Sequence, residues 1–230
     1  MRLQGITVIA FDADDTLWVN EPYFRTAEKD FCELLKEYTS EEECNALLYT
    51  IEMQNLPLYG YGIKPFALSL IEAAITISNK QIPLETVSKL IEIAKGMLQM
   101  PVELIDGIEA TLAQLSKKYL LVMATKGDLL DQERKLMRSG LEKYFHHIEV
   151  MSDKQPKNYQ KLIKHLGIPP AEFLMVGNSL KSDILPVLAI GSYAIHIPFH
   201  TTWEHEKVEE KVMHHNFKEL ELASELIDLL

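Results

Sequence analysis

The residues best equipped for chemistry are Asp12-Ala13-Asp14-Asp15-Thr16, directly after an apolar run. A carboxylate at Asp12 can attack as a nucleophile while a second, two residues on at Asp14, handles a proton. The competing reading is a polar turn in which Asp15 caps a short helix. Three more groups follow later apolar runs. Thr125, ahead of Lys126-Gly127-Asp128, offers a hydroxyl and a backbone N–H that suit a phosphate oxygen. It reads equally as a strand-end threonine with Asp128 capping a helix. Lys154 is a cation able to offset charge on a transferred phosphoryl group, or a solvated loop lysine. Gly177-Asn178-Ser179-Leu180-Lys181-Ser182-Asp183 supplies the side-chain oxygens of Asn178 and Asp183, a donor type suited to a hard cation such as Mg²⁺.

Each group needs an element to hold it. Residues 5–11 are β-branched and nearly all apolar, without alternation, which predicts a strand covered on both faces. Similar runs at 119–125, 147–151, 173–177 and 193–197 predict four more strands. Helical patterns at 107–118, 129–139, 157–166 and 180–190 fill the gaps, three of them ending at Gly140, Gly167 and Gly191. This alternation predicts an α/β, Rossmann-like doubly wound parallel sheet. Ligands in such sheets bind beyond the carboxyl ends of the strands, where all four groups fall. Asn216 with Glu219 forms a capping-box pattern ahead of an expected closing helix to Leu230.

Residues 18–105 follow another pattern, with four helices and no convincing strand. Residues 22–38 place Phe24, Ala27, Phe31, Leu34, Leu35 and Tyr38 on one helical face. Ser40 and Glu43 form a capping box for a second helix, and a turn-rich stretch at 56–65 separates it from a third. Pro83 stands where a fourth begins. The expected organisation is a core of 1–17 and 106–230 interrupted by an all-helical domain of 18–105. Hinges are expected near 18–20 and 100–106.

With four motifs in order, each at a strand end, the chain resembles the haloacid dehalogenase superfamily of aspartate-nucleophile hydrolases. The helical insert resembles the cap many members carry there. The resemblance implies that Asp12 attacks phosphorus and forms an aspartyl-phosphate. Asp14 then protonates the leaving alcohol and deprotonates the hydrolytic water. It also implies Mg²⁺ held by Asp12, the backbone carbonyl of Asp14 and Asn178, with Asp183 as orienting neighbour or water-mediated ligand. Thr125 and Lys154 would hold the phosphoryl oxygens, with Lys126 beside them and Lys157 as a substitute for Lys154. Many relatives place Asp where this chain has Asn178, so weaker metal binding is expected. Within the cap, Tyr61 and Lys64 are candidates for contacting the substrate, and Trp18 is expected to pack under the hinge.

Composition bounds these readings. The 230 residues are 47% hydrophobic and 25% charged, which excludes disorder and repeat arrays. A net charge of -11 disfavours nucleic acid and anionic membrane as partners. Two cysteines without a CxxC pair point to a reducing cytoplasm. No early apolar run is long enough for a signal peptide or membrane span. His196, His200 and His205 match no zinc spacing and are expected to be structural. The favoured partner is a small phosphorylated metabolite. Carbon–halogen hydrolysis is disfavoured because it needs no acid such as Asp14. Phosphotransfer shares all four motifs, and a catalytically weak binding protein would be signalled first by Asn178.

Overall fold

The computed structural model describes residues 3–230, which divide into two compact units. One comprises residues up to Glu21, Val102–Lys126 and Gln132–Leu230; the other comprises Pro22–Pro101 with Gly127–Asp131.

The first unit is built on a six-stranded parallel sheet in the order β3-β2-β1-β4-β5-β6. The strands are β1 Val8–Phe11, β2 Leu120–Lys126, β3 His147–Met151, β4 Phe173–Gly177, β5 Tyr193–His196 and β6 Phe217–Glu219. Alternate residues explain the unbroken apolar runs. Ile9, Phe11, Leu121, Met123, Leu174 and Val176 pack with Ile108 and Leu112 on one face. Val8, Ala10, Val122, Ala124, Phe173 and Met175 pack with Tyr159, Leu162 and Val187 on the other. Both faces of the sheet are therefore dry, as parallel strands require. β1 lies at the centre between β2 and β4, where the winding order reverses and a crevice opens past the strand ends. This is the expected Rossmann-like α/β core.

The second unit holds α1 Glu21–Leu35, apart from its first residue, with α2 Glu41–Tyr59, α3 Ile63–Ile77 and α4 Leu84–Gln99. The Ser40–Glu43 capping box is present. Phe31, Leu35, Leu48, Leu70 and Leu90 form its core, and Asn55 Nδ2 links α2 to α3 through Ser69 Oγ at 3.1 Å and Glu72 Oε2 at 2.8 Å.

Three local expectations are corrected. The stretch 56–65 is not a long loop, since α2 runs through Pro57 to Tyr59 and α3 starts at Ile63. Pro57 removes one N–H but the helix ends two residues beyond it, where Gly60 N donates to Leu56 O at 3.0 Å. The expected helix over 180–190 is a π-turn, Leu180–Ile184, followed by α8, Leu185–Leu188. The Asn216–Glu219 pattern caps no helix. Phe217–Glu219 pairs with β5, Asn216 Nδ2 donates to the carbonyls of Gly191 and Ser192, and Glu219 is taken by His196. Strand pairing at long range satisfies those groups better than a local cap. Only Ala223–Leu229 is helical near the C-terminus, as a 3-10 turn and the short α9, Leu226–Leu229.

Candidate active site

Asp12 follows the central strand, and its N–H donates to Val176 O of β4 at 2.9 Å. Its carboxylate is nearly buried. Lys154, 2% exposed just past β3, places Nζ 2.5 Å from Asp12 Oδ1 and 2.6 Å from Asp183 Oδ1. Burial and the adjacent Asp183 push the Asp12 carboxyl up to about 7 against the pull of Lys154. Burial opposes charge on Lys154 as well, but Asp12 and Asp183 together hold its ammonium above the ordinary lysine value. Lys157, by contrast, is exposed on α7, Pro156–Leu166.

Asp183 has both oxygens engaged, one by Lys154 and the other by Ser179 N at 3.0 Å. Its close approach requires Gly177, because a Cβ there would stand 2.2 Å from Asp183 Oδ2. The π-turn accomplishes the rest: widening the helix by one residue brings Asp183 back under the Ser179 N–H. Asp183 therefore orients Lys154 and the loop after β4.

Asn178 is the neighbour of Asp12 on the β4 side. One atom of its terminal amide lies 3.1 Å from Thr16 Oγ1, 3.2 Å from Asp14 O and 3.2 Å from Asp12 Oδ2. As nitrogen, that atom donates to all three. As oxygen, it accepts from Thr16 Oγ1 and stands beside the acceptors Asp14 O and Asp12 Oδ2, a cluster that a cation between them would stabilise. The donor set Asp12, Asp14 carbonyl and Asn178 thus fits Mg²⁺. Among the described residues no group of three His, Cys, Asp or Glu could hold a metal, and this candidate set accordingly counts the Asn178 amide and the Asp14 carbonyl beside the Asp12 carboxylate. The Asn178 carbonyl is held by His196 Nε2 at 3.0 Å, and His196 Nδ1 pairs with Glu219 Oε2 at 2.8 Å. His196 thus braces the backbone of a candidate ligand.

Asp14 turns its carboxylate toward three donors. Trp18 Nε1 lies 2.8 Å and Lys135 Nζ 2.5 Å from Oδ1, and Gln132 Nε2 lies 2.8 Å from Oδ2. Burial disfavours the anion, yet Lys135, Trp18 and Gln132 hold the carboxyl below its ordinary value. Asp15 caps α1, accepting from Asn20 N at 2.8 Å and Glu21 N at 3.0 Å, from a left-handed backbone (φ 58°). Burial raises its carboxyl to about 7 despite those bonds. The capping reading therefore holds for Asp15 while Asp12 and Asp14 remain available.

Thr125 is buried at the end of β2, its hydroxyl donating to Lys126 O at 3.1 Å. Lys126 Nζ pairs with Glu206 Oε1 at 2.6 Å and donates to Ser182 Oγ at 2.9 Å. Glu206 also accepts from Ser179 Oγ and from Ser182 Oγ at 2.6 Å. Tyr61 and Lys64 lie in the helical unit, where Lys64 Nζ pairs with Asp128 at 2.8 Å. Sequence reasoning missed Gln132, Lys135 and Glu206. Each is a polar residue on a helix or loop that reads as a solvated face, and no spacing signal marks it.

A family model described as haloacid dehalogenase-like hydrolase matches residues 6–191. The chain belongs to that family. A solved family hydrolase from Xanthomonas campestris is 38% identical, with a TM-score of 0.86, over 96% of this chain and 89% of its own. Glyceraldehyde 3-phosphate phosphatase of Pyrococcus furiosus is 31% identical over 38% of this chain, and the chain spans only 39% of that relative's length. Human N-acylneuraminate-9-phosphatase is 24% identical over 80% of this chain and 79% of its own. Phosphatases are thus among the relatives of this haloacid dehalogenase-like hydrolase.

Proposed function

We propose that the protein is a Mg²⁺-dependent phosphatase that hydrolyses a small phosphate monoester through an aspartyl-phosphate on Asp12. The observation that carries this reading is the buried Lys154 ammonium held against both Asp12 and Asp183, with Thr125 at the neighbouring strand end. That cluster combines a nucleophile with a fixed positive charge at the mouth of the sheet.

Asp12 attacks phosphorus, and the bond to the leaving oxygen breaks with its electron pair. Asp14 gives that oxygen a proton. In the second half-reaction water attacks phosphorus, Asp14 takes the water's proton, and Asp12 regains its carboxylate. Thr125 and Lys154 hold the phosphoryl oxygens throughout. Asp12, the Asp14 carbonyl and Asn178 would hold Mg²⁺, with Asp183 behind Lys154. Bound Mg²⁺ would supply positive charge between the nucleophile and the phosphate dianion. Lys126, Tyr61 and Lys64 are assigned to recognition of the substrate, with the helical unit acting as the cap. For Lys126 and Lys64 this means competing with Glu206 and Asp128.

Two relatives named as phosphatases of small phosphorylated molecules support the substrate class. The free thiols Cys32 and Cys44 support a cytoplasmic setting. Among the described residues no helix is long and apolar enough to cross a membrane.

The test is hydrolysis of an aryl phosphate and a panel of metabolite monoesters, with Mg²⁺ and with chelator, alongside Asp12→Asn. The expected result is metal-dependent turnover that Asp12→Asn abolishes. Turnover that survives either chelation or the substitution overturns the reading, as does inertness toward every phosphate tested.

A further inference from the structure

Asp14 has no freedom of orientation in this structure, and the reason lies on α6, Leu129–Ser139. Gln132 and Lys135 are three residues apart there and share one helical face. Gln132 Nε2 reaches both Asp14 Oδ2 at 2.8 Å and Lys126 O at 3.1 Å, so one amide ties the carboxylate to the end of β2 beside Thr125. Lys135 Nζ reaches Asp14 Oδ1 at 2.5 Å and Asn20 Oδ1 at 3.1 Å, and stands 5.9 Å from the Trp18 ring centroid. Trp18 Nε1 and Lys135 together occupy Oδ1. Oδ2 accepts from Gln132 Nε2 and keeps a lone pair able to take one proton.

Gln132 carries a second indication. The residue is 2% exposed, and its Oε1 is buried with no hydrogen-bond partner. Turning the amide over would set Oε1 against two acceptor oxygens, so the observed orientation is the favourable one. An orphaned buried acceptor costs stability, so this amide is held in place by the two bonds its nitrogen donates and by none to its oxygen.

We propose that Gln132 and Lys135 are the positioning residues of the acid–base carboxylate, fixing Asp14 so that Oδ2 faces the reacting oxygens. The inference rests on the reading of Asp14 as acid and base given above. Held as the anion by Lys135, Trp18 and Gln132 in the free site, Asp14 first takes up one solvent proton on Oδ2. That proton passes to the leaving oxygen as the oxygen takes the electron pair of the broken P–O bond. Oδ2 then receives a proton from the attacking water as the phosphoryl bond to Asp12 breaks. Gln132 and Lys135 touch neither substrate nor phosphorus and act only through Asp14.

Leaving-group dependence separates this role from a structural one. A p-nitrophenolate departs without a proton, whereas a primary alkoxide requires one. Steady-state kinetics on p-nitrophenyl phosphate and on a primary alkyl phosphate would be compared for Asp14→Asn, Gln132→Leu, Lys135→Met and Lys135→Arg. We expect Gln132→Leu and Lys135→Met to lower kcat/KM on the alkyl ester by about tenfold or more while leaving kcat/KM on the aryl ester within about threefold. The ratio kcat/KM reports the first half-reaction, and the water step is common to both esters. Lys135→Arg should recover most of the loss. Equal losses on both esters, or no loss on the alkyl ester, overturn the proposal. If Asp14→Asn itself shows no preference, the acid–base reading falls and the proposal with it. If only Asp14→Asn shows it, the reading stands and the proposal falls. A crystal structure of the Gln132→Leu, Lys135→Met double variant gives a readout free of turnover. The Asp14 carboxylate should leave its present orientation, and its persistence overturns the proposal.

Discussion

Asn178 brings a neutral amide to a place where another carboxylate would stand beside that of Asp12. In the absence of metal an Asp there would be repelled by Asp12, whose own carboxyl is already raised by burial and then by Asp183. With a dication it would add an ionic ligand. Asn178→Asp should therefore lower the melting temperature in chelator and tighten Mg²⁺ binding by about tenfold. A melting series against Mg²⁺ concentration checks both, and an unchanged metal dependence would remove Asn178 from the ligand set. At this scale the candidate site was half legible. Asp12, Thr125, Lys154 and Asn178 each follow a strand whose end can be read from the apolar run before it. Gln132 and Lys135 could not be read, because a polar residue on a surface helix carries no sign of which loop it will face. The donor set around Asp14 exists only once α6 packs beside the first motif.

Among the elements, the connection between β5 and β6 does more than close the sheet. Glu206, on a short 3-10 turn there, links Lys126 at the end of β2 to Ser179 and Ser182 after β4. Since β2 and β4 flank β1, this carboxylate bridges the two strands on either side of Asp12. Burial works against its charge, but Lys126 and the two serine hydroxyls bring the carboxyl down to about 2. A group depressed in the folded state adds stability that is full above the unfolded value of about 4.3 and is lost as pH falls toward 2. Glu206→Gln should cost about 2–3 kcal/mol at pH 7, and the difference from the parent should shrink between pH 4 and pH 2. Urea denaturation at a series of pH values measures this; a cost independent of pH would mean that Glu206 acts by packing alone. Residues 217–219 illustrate the opposite limit of local reading. Their capping-box pattern is genuine, yet β5 offers three parallel pairings that the local pattern cannot match.

For the whole molecule, the net charge of -11 sets the approach of an anionic substrate. The field outside the crevice repels phosphate, whereas Lys154 attracts it only at short range. Screening should then help: raising monovalent salt from about 20 to about 200 mM at constant Mg²⁺ should increase kcat/KM for a phosphate monoester by about threefold. A decrease would show that local positive charge governs encounter. The change of pattern after the first motif leads one to expect a boundary at 17/18 and 105/106, whereas the compact units divide at 21/22 and 101/102. Residues 127–131 group with the helical unit although they follow β2 directly. Lys64 explains this, since its ion pair and the close approach of Gly62 to Asp128 hold that segment.

Periodicity and strand-end chemistry determined the alternating core, the helical insert and the order of the four motifs, because burial on both faces of a parallel sheet writes itself as continuous apolar runs. Only the tertiary structure decided which side chains meet. Asp183 stands near Asp12 because β1 and β4 are neighbours in the sheet though far apart in the chain, and Lys154 meets both from the end of β3, which borders neither strand. The π-turn after β4, the bridge made by Glu206 and the hold on Asp14 depend on distances between elements, and local residue preference carries no information about those.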